Sequence, residues 1–409
     1  MNATTPFGQE RQTVHLDPAG WGRMPAAVRA VLADCVLRED RYGPHELEEY
    51  LEDVLHTEVY ERLGALLNVP AGDTALVTGA TTAFAAVVSR LDPGRHDRIW
   101  TTPYESAANL TALYALRDRT RCRLEVVPLR EDGDLDLEWM ARHIGDDVAL
   151  VSVVHVPSSC GIVNPVEAVG LLVAPHGCLY AVDASYAVGQ LPLDAARIGC
   201  HLLTGDGWRF LCGPYSVGVA YLAPRLRGAL EAATPHCPPP ETVAVAGLNA
   251  ALAHHAATAT AGEGLGLLPA LRAAVEETPG TELIAPGRIQ SAVLAFRHHE
   301  LPAALLRRQL AARGVIVWKT VAEETPLHLP RRGTGGGSAL RASLHHGSTA
   351  HDIARFGQAL QDVVREQQPH SARAHPAAPA PLQAAPTVAD PPRLRAPARR
   401  RHLAVCPSP

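Results

Sequence analysis

The sequence predicts an α/β protein: a mostly parallel β-sheet covered on both faces by helices, followed by a smaller α+β domain. Three observations carry this. From about residue 74 to residue 222, short strands alternate with helical segments. Those strands are near-continuous apolar runs, as expected when both faces of a sheet are buried. After about residue 225 the alternation gives way to paired helices and then to strands mixed with helices.

The elements follow in order. "MPAAVRAVLADCVLRED" and "ELEEYLEDVLHTEVYERLGALLN" place apolar residues at helical spacing. "TALVTG", "RIWTTP", "RLEVVPL", "VALVSVVHV", "CLYAVDAS", "CHLLTG" and "VGVAYLAP" read as strands. Between them "TTAFAAVVSRL", "SAANLTALYALRD", "DLEWMARHI", "VEAVGLLVAPHG" and "LDAARIG" read as helices. In the second part, helices are expected at "VAVAGLNAALAHHAATA", "LLPALRAAVEE", "LPAALLRRQLAARG" and "TAHDIARFGQALQDVVREQ". Strands are expected at "QSAVLAFRHH", "VIVWKTV" and "ALRASLHH". The Gly-rich "RRGTGGGS" reads as a flexible loop. The expected organisation is an arm over 1–25, a large domain over 26–225, a small domain over 226–367, and a disordered Pro/Ala/Arg-rich tail over 368–409.

Composition narrows the function classes. The 409 residues are 47% hydrophobic and 19% charged, enough for a sizeable core. A net charge of −5 gives no general attraction to nucleic acid or membrane. No apolar run approaches the ~20 residues of a membrane span. The first residues, "MNATTPFGQERQTVHL", have no apolar signal core, so a cytoplasmic location is expected. The eight cysteines form no C-x-x-C pair, which argues for reduced thiols and against a zinc site. Of 37 basic residues, Lys319 is the one lysine. Any chemistry that needs a lysine amine therefore has a single candidate.

In parallel sheets, ligands sit at the carboxyl ends of the strands. The polar strand ends are "GATT", "PYESAAN", "HVPSSCG", "DASYAVGQ" and "GDGWRF", and all are expected to converge on one crevice.

The stretches "HLDPAGWGRMP", "LVTGATTAF", "VVHVPSSCGIVNPV", "YAVDASYAVGQLPLDAARIGCHLLTG", "FLCGPYSVGVAYL" and "LRASLHHGSTAHDIARF" resemble the class V aminotransferases. These are pyridoxal-phosphate (PLP) enzymes of fold type I that include the cysteine desulfurases. The resemblance covers roughly residues 14 to 365 and is greatest to the ergothioneine-type C–S lyases. It implies a PLP-transferase fold and a set of site positions. Asp183 matches the carboxylate on the pyridine nitrogen. Thr81 and Thr82 match the helix-opening loop that donates to the phosphate. Asn109 and His155 match positions facing the ring, and Arg341 matches the arginine that grips a substrate carboxylate. His345 and His346 fall on a polar or aromatic pair that lines the site.

The chain departs from the family pattern at the centre of the chemistry. The position of the imine-forming lysine is Arg209, whose guanidinium stays protonated and cannot attack an aldehyde. The hydroxyl residue three before it is Asp206, and the basic residue one before it is Trp208. A carboxylate ~5 Å from a phosphate charge costs about 3 kcal/mol at an effective dielectric of ~20. The stacking position falls on Ser106, with Tyr104 two residues earlier, and a ring-binding glutamine is replaced by Tyr186. The connection after Leu230 is short.

These departures imply a site without covalently bound PLP, in which Asp206 and Arg209 pair with each other. Three functions are compatible with them. One is a non-catalytic accessory homologue, a homodimer or a heterodimer with a lysine-bearing relative. The second is a remodelled lyase or transferase, with Arg209, Arg341 and His155 binding an anionic, amino-acid-like substrate, Asp183, Asp206 or Glu105 as acid or base, and PLP either held by Arg209 without an imine or absent. The third is a metabolite-binding regulatory protein. Lys319 is expected to face solvent on its strand, and the run Ser158–Ser159–Cys160 to be an ordinary loop, because spacing identifies no base beside it.

Overall fold

The computed structural model describes residues 13–226, 239–258, 264–329 and 338–371, with backbone only for 368–371. The "RRGTGGGS" loop falls almost wholly outside the described residues, as do most of the connection after Leu230 and the tail beyond residue 371.

The chain opens with β1 (Val14–His15), α1 (Ala26–Tyr42), α2 (Pro44–Tyr50) and α3 (Val59–Leu67). The helical run expected to be continuous over 46–68 is interrupted, and a wider turn over Val54–Glu58 joins α2 to α3. Alternation then begins with β2 (Thr74–Val77), α4 (Ala80–Val88), β3 (Arg98–Thr101), α5 (Ala107–Thr120), β4 (Arg123–Val126) and α6 (Leu137–His143). It continues through β5 (Val148–Val154), α7 (Val166–Val173), β6 (Leu179–Asp183), α8 (Ala195–Ile198), β7 (Leu202–Asp206) and β8 (Gly218–Leu222).

Strands β2 to β8 form one seven-stranded sheet in the order β2-β8-β7-β6-β5-β3-β4. Five adjacent strands, β7, β6, β5, β3 and β4, run parallel through four pairings, and β8 is antiparallel to both β7 and β2. Every residue of β6 and β7 is buried, in keeping with their apolar runs. One cluster of buried side chains includes Val151, Val153 and Val182, and a second includes Ile99, Leu150 and Ala181. These alternating residues fill the two faces of the sheet.

The later elements are α9 (Thr242–Thr258), α10 (Leu268–Glu276), β9 (Thr281–Ile284), β10 (Val293–His298), α11 (Ala303–Ala312), β11 (Val315–Ile316), β12 (Trp318–Thr320), β13 (Ala339–Ser343) and α12 (Ala350–Ser371). A four-stranded antiparallel sheet has the order β12-β13-β10-β9. The single strand expected at "VIVWKTV" is split at Val317. Its first half pairs in parallel with β1, and its second half joins β13. The strand β9 has no counterpart in the sequence-based expectation. Helix α12 runs to Ser371, past the boundary expected at 368. No helix among the described residues is long and apolar enough to cross a membrane.

Two close approaches fix the turn after β7. The Gly22 N–H donates to the Trp208 carbonyl at 2.8 Å, and a Cβ on Gly22 would lie 2.0 Å from the Arg209 carbonyl oxygen. Gly189 has φ of 85°, and a Cβ there would meet Leu211 N at 2.7 Å. Glycine is needed at both places for the turn that carries Arg209 to pack against its neighbours.

Candidate functional site

The carboxyl ends of β5, β6 and β7 carry His155, Asp183 and Asp206, so parallel pairing alone brings three of the expected residues together. The Asp183 backbone carbonyl accepts from the His155 N–H at 2.8 Å. Asp183 Oδ1 accepts from the Ser185 hydroxyl at 2.5 Å and from the Ser185 N–H at 2.9 Å. Its Oδ2 accepts from Asn109 Nδ2 at 3.0 Å.

Asn109 lies in the first turn of α5, whose cap is Ser106. The Ser106 hydroxyl accepts from the Asn109 N–H at 3.2 Å, which commits this residue to starting the helix. The amide of Asn109 also donates to Glu105 at 2.9 Å and so bridges two carboxyl groups. Glu105 is fully buried and takes further bonds from Thr101, Ser152 and the Ser106 N–H. Burial raises its pKa, the nearby Asp183 charge adds to the rise, and the donors oppose it. Enclosed in this way, Glu105 positions Asn109 and has no free face for a ligand. Tyr104 points elsewhere: its hydroxyl donates to the Gly133 carbonyl at 2.6 Å, and its ring packs on His328.

Asp206 and Arg209 form the expected pair. Arg209 Nε donates to Asp206 Oδ2 at 2.9 Å, with side-chain exposures of 16% and 8%. The guanidinium also donates to the Ala19 carbonyl and lies 4.1 Å from the centre of the Tyr186 ring. The other carboxylate oxygen, Asp206 Oδ1, accepts from the Ala80 N–H at 3.1 Å. Ala80 is the first residue of α4, and Thr81 and Thr82 follow it in that first turn. A carboxylate therefore sits at the helix end where the resemblance placed a phosphate. Burial raises the pKa of Asp206, while the Arg209 charge and the Ala80 bond pull it down. Burial disfavours the Arg209 cation, but Tyr186, Asp206 and Asp183 outweigh it, so the guanidinium stays charged.

Arg341, on β13, is 3% exposed. Its Nη2 lies 3.3 Å from Asp17 Oδ1 and its Nη1 donates to the Tyr186 hydroxyl at 3.4 Å. Its Nε is buried without a partner among the described residues. Tyr186 thus lies between the two arginines. Asp17 is raised in pKa by burial, with Arg341 opposing.

His155 is buried, its Nδ1 has no partner among the described residues, and burial lowers its pKa to about 4. Asn109 Oδ1 is likewise buried and unpartnered. His345 is committed elsewhere: Nδ1 accepts from the Gly347 N–H at 3.1 Å, and Nε2 lies 3.0 Å from Cys212 Sγ. Its expected place beside a ligand is therefore taken by a thiol. His346 packs on His345 at 3.7 Å between ring centres. Lys319 is half-buried on β12, where it is paired with Leu340.

Two relationships escaped the sequence reading. Asp17 as the partner of Arg341 is 324 residues away in the chain. Ser159 Oγ lies 2.9 Å from His328 Nδ1, so the loop expected to lack a base has an imidazole against it. That serine is fully buried and the histidine is held neutral by burial, with a pKa of about 4. No spacing signal could have joined residues 169 positions apart.

Residues 40–356 match the model of the family described as aminotransferase class-V. Among curated relatives, the "Probable cysteine desulfurase" of Halobacterium salinarum is 29% identical over 227 residues, 53% of this chain and 54% of the relative. That of Halalkalibacterium halodurans is 27% identical over 215 residues, 51% of this chain and 52% of the relative. The chain thus spans about half the length of the curated relatives it matches. Among solved structures, the apo cysteine desulfurase of Thermococcus onnurineus NA1 superposes with a TM-score of 0.77 at 18% identity, covering 87% of this chain and 95% of that one. The cysteine desulfurase CsdA of Escherichia coli gives 0.74 at 19% identity, with 87% and 95% covered. At these identities the structural likeness speaks for the fold.

Proposed function

Because the chain belongs to the aminotransferase class-V family, we propose that it works without a PLP imine, as a non-PLP-catalytic or accessory homologue that binds a small amino-acid-like ligand. One observation carries this: the buried Asp206–Arg209 pair with Asp206 bonded to the first N–H of α4. PLP, where a protein binds it as an imine, supplies an electron sink to amino-acid chemistry. The residues here do not fit that role. The imine position is a permanent cation, and the phosphate end already holds a carboxylate. Asp183 and Asn109 retain the polar floor of the site.

What remains suits a zwitterion. Arg341 has an unpartnered buried Nε and two long contacts, so donors are left for a ligand carboxylate. Asp183 and the free Asn109 Oδ1 accept from an ammonium group. Tyr186, between Arg209 and Arg341, borders the same place, and Thr81 and Thr82 lie at the start of α4. A cytoplasmic place is supported by the six described cysteines, all free thiols. Either a homodimer or a dimer with a lysine-bearing relative suits an accessory role.

The test is to add PLP to the purified protein and follow the imine absorption band, with Arg209→Lys as comparison. No band is expected in either, because Asp206 remains on α4 in the variant. A band in the natural protein would overturn the proposal.

A second function, a remodelled lyase or transferase, is favoured by His155, a neutral imidazole with one free nitrogen at the strand ends. Turnover of an amino acid that is lost in His155→Gln would select it. Saturable binding without turnover selects the metabolite-binding alternative.

A further inference from the structure

We propose that Asp206 is a built-in anion: its carboxylate fills the oxyanion seat at the start of α4, and Arg209 latches it there. This rests on the site carrying no PLP imine, and it states what has taken the place of the phosphate.

Helix α4 has nine residues and is capped by Gly79 with no side-chain bond, so its first N–H groups lack a local acceptor. The acceptor comes from 126 residues away. Asp206 ends β7, where the strand points it at the helix terminus. Its two oxygens are divided between two positive groups, the Ala80 N–H and the Arg209 guanidinium. Arg209 is itself fixed by the Ala19 carbonyl and the Tyr186 face, so the latch does not depend on the carboxylate alone.

Trp208 and the backbone of β8 at Gly218 border the seat. A Cβ on Gly79 would lie 3.5 Å from Trp208 Cη2 and 3.9 Å from Asp206 Oδ1. On the other side, a Cβ on Gly218 would come within 3.1 Å of Gly79 Cα and 3.3 Å of Ala80 N. A tetrahedral oxyanion and the Asp206 carboxylate therefore compete for one place. Removing the carboxylate leaves a helix N-terminus and a largely buried guanidinium facing the same space, which is the donor set of a sulfate or phosphate site.

The experiment is calorimetric titration of inorganic sulfate into the full chain, for the natural protein, Asp206→Ser and Asp206→Ser/Arg209→Ala. The natural protein is expected to bind sulfate weakly or not at all. Asp206→Ser should bind about tenfold more tightly or better, and the double variant should lose the gain. Should Asp206→Ser fail to fold, Asp206→Ala, which also empties the seat, is read by the sulfate-dependent rise of its Tm, which should exceed that of the natural protein. Equal sulfate response in natural protein and folded variants, or a gain that survives loss of Arg209, overturns the proposal. An imine band in the natural protein would sink the functional proposal instead, so the two failures are distinguishable.

Discussion

Arg341 and Asp17 are joined across 324 residues by a 3.3 Å contact in which both side chains are buried. The pair ties the loop after β1 to β13, and its neighbour Ala19 donates its N–H to Ser343 at 3.0 Å on the same strand. Removing one partner strands a charge where water does not reach. Asp17→Ala should lower unfolding free energy by about 3 kcal/mol. The double variant Asp17→Ala/Arg341→Met should cost less than the sum of the single changes, and a double-mutant cycle in urea would measure the difference. Strict additivity would show that the contact is not an ion pair.

Asn109 holds two carboxyl groups with one amide. Asn109→Asp adds a third carboxyl and removes the amide that donates to both, so a loss of about 3 kcal/mol or more is expected. Asn109→Ala should cost about 2 kcal/mol through the bonds lost to Asp183 and Glu105. Chemical denaturation at neutral pH checks both. At lower pH the Asp variant should recover more than the Ala variant, because protonating a carboxyl relieves the repulsion.

His155 is neutral in the fold, with a pKa lowered from 6.5 to about 4 by burial. The unfolded chain takes up the proton first as pH falls, so the fold loses stability from about pH 6.5 down to about pH 4. The full loss for this one group is about 3 kcal/mol. Replacing His155 with Gln should flatten the fall in stability across that window. Thermal unfolding at a series of pH values is the measurement, and an unchanged slope would place the histidine in water.

Tyr104 donates its hydroxyl to Gly133 and does not turn toward Asp183. Tyr104→Phe should cost about 1 kcal/mol in stability and leave the affinity of any amino-acid ligand unchanged. Calorimetric binding beside thermal unfolding separates the two. Weaker binding would place this ring at the ligand.

The strand–helix alternation was legible because burial on both faces makes a parallel strand read as an apolar run, whatever surrounds it. The same pattern marked the strand ends, and with them His155, Asp183 and Asp206. The Asp206–Arg209 pair was also within reach, since a spacing of three brings residues together across one turn. By contrast, β9 and the break at Val317 escaped because both are set by strands far along the chain.

By itself, the sequence determined the order of elements, the polar strand ends and the single lysine, because each depends on residue type and short-range spacing. Tertiary structure alone decided the partners of these polar groups: Asp206 on the Ala80 N–H, Asp17 on Arg341, Cys212 against His345 and His328 against Ser159. Each of these joins positions more than a hundred residues apart. Such partners are chosen by where packing leaves a buried polar group in need of a bond, and no local pattern records that.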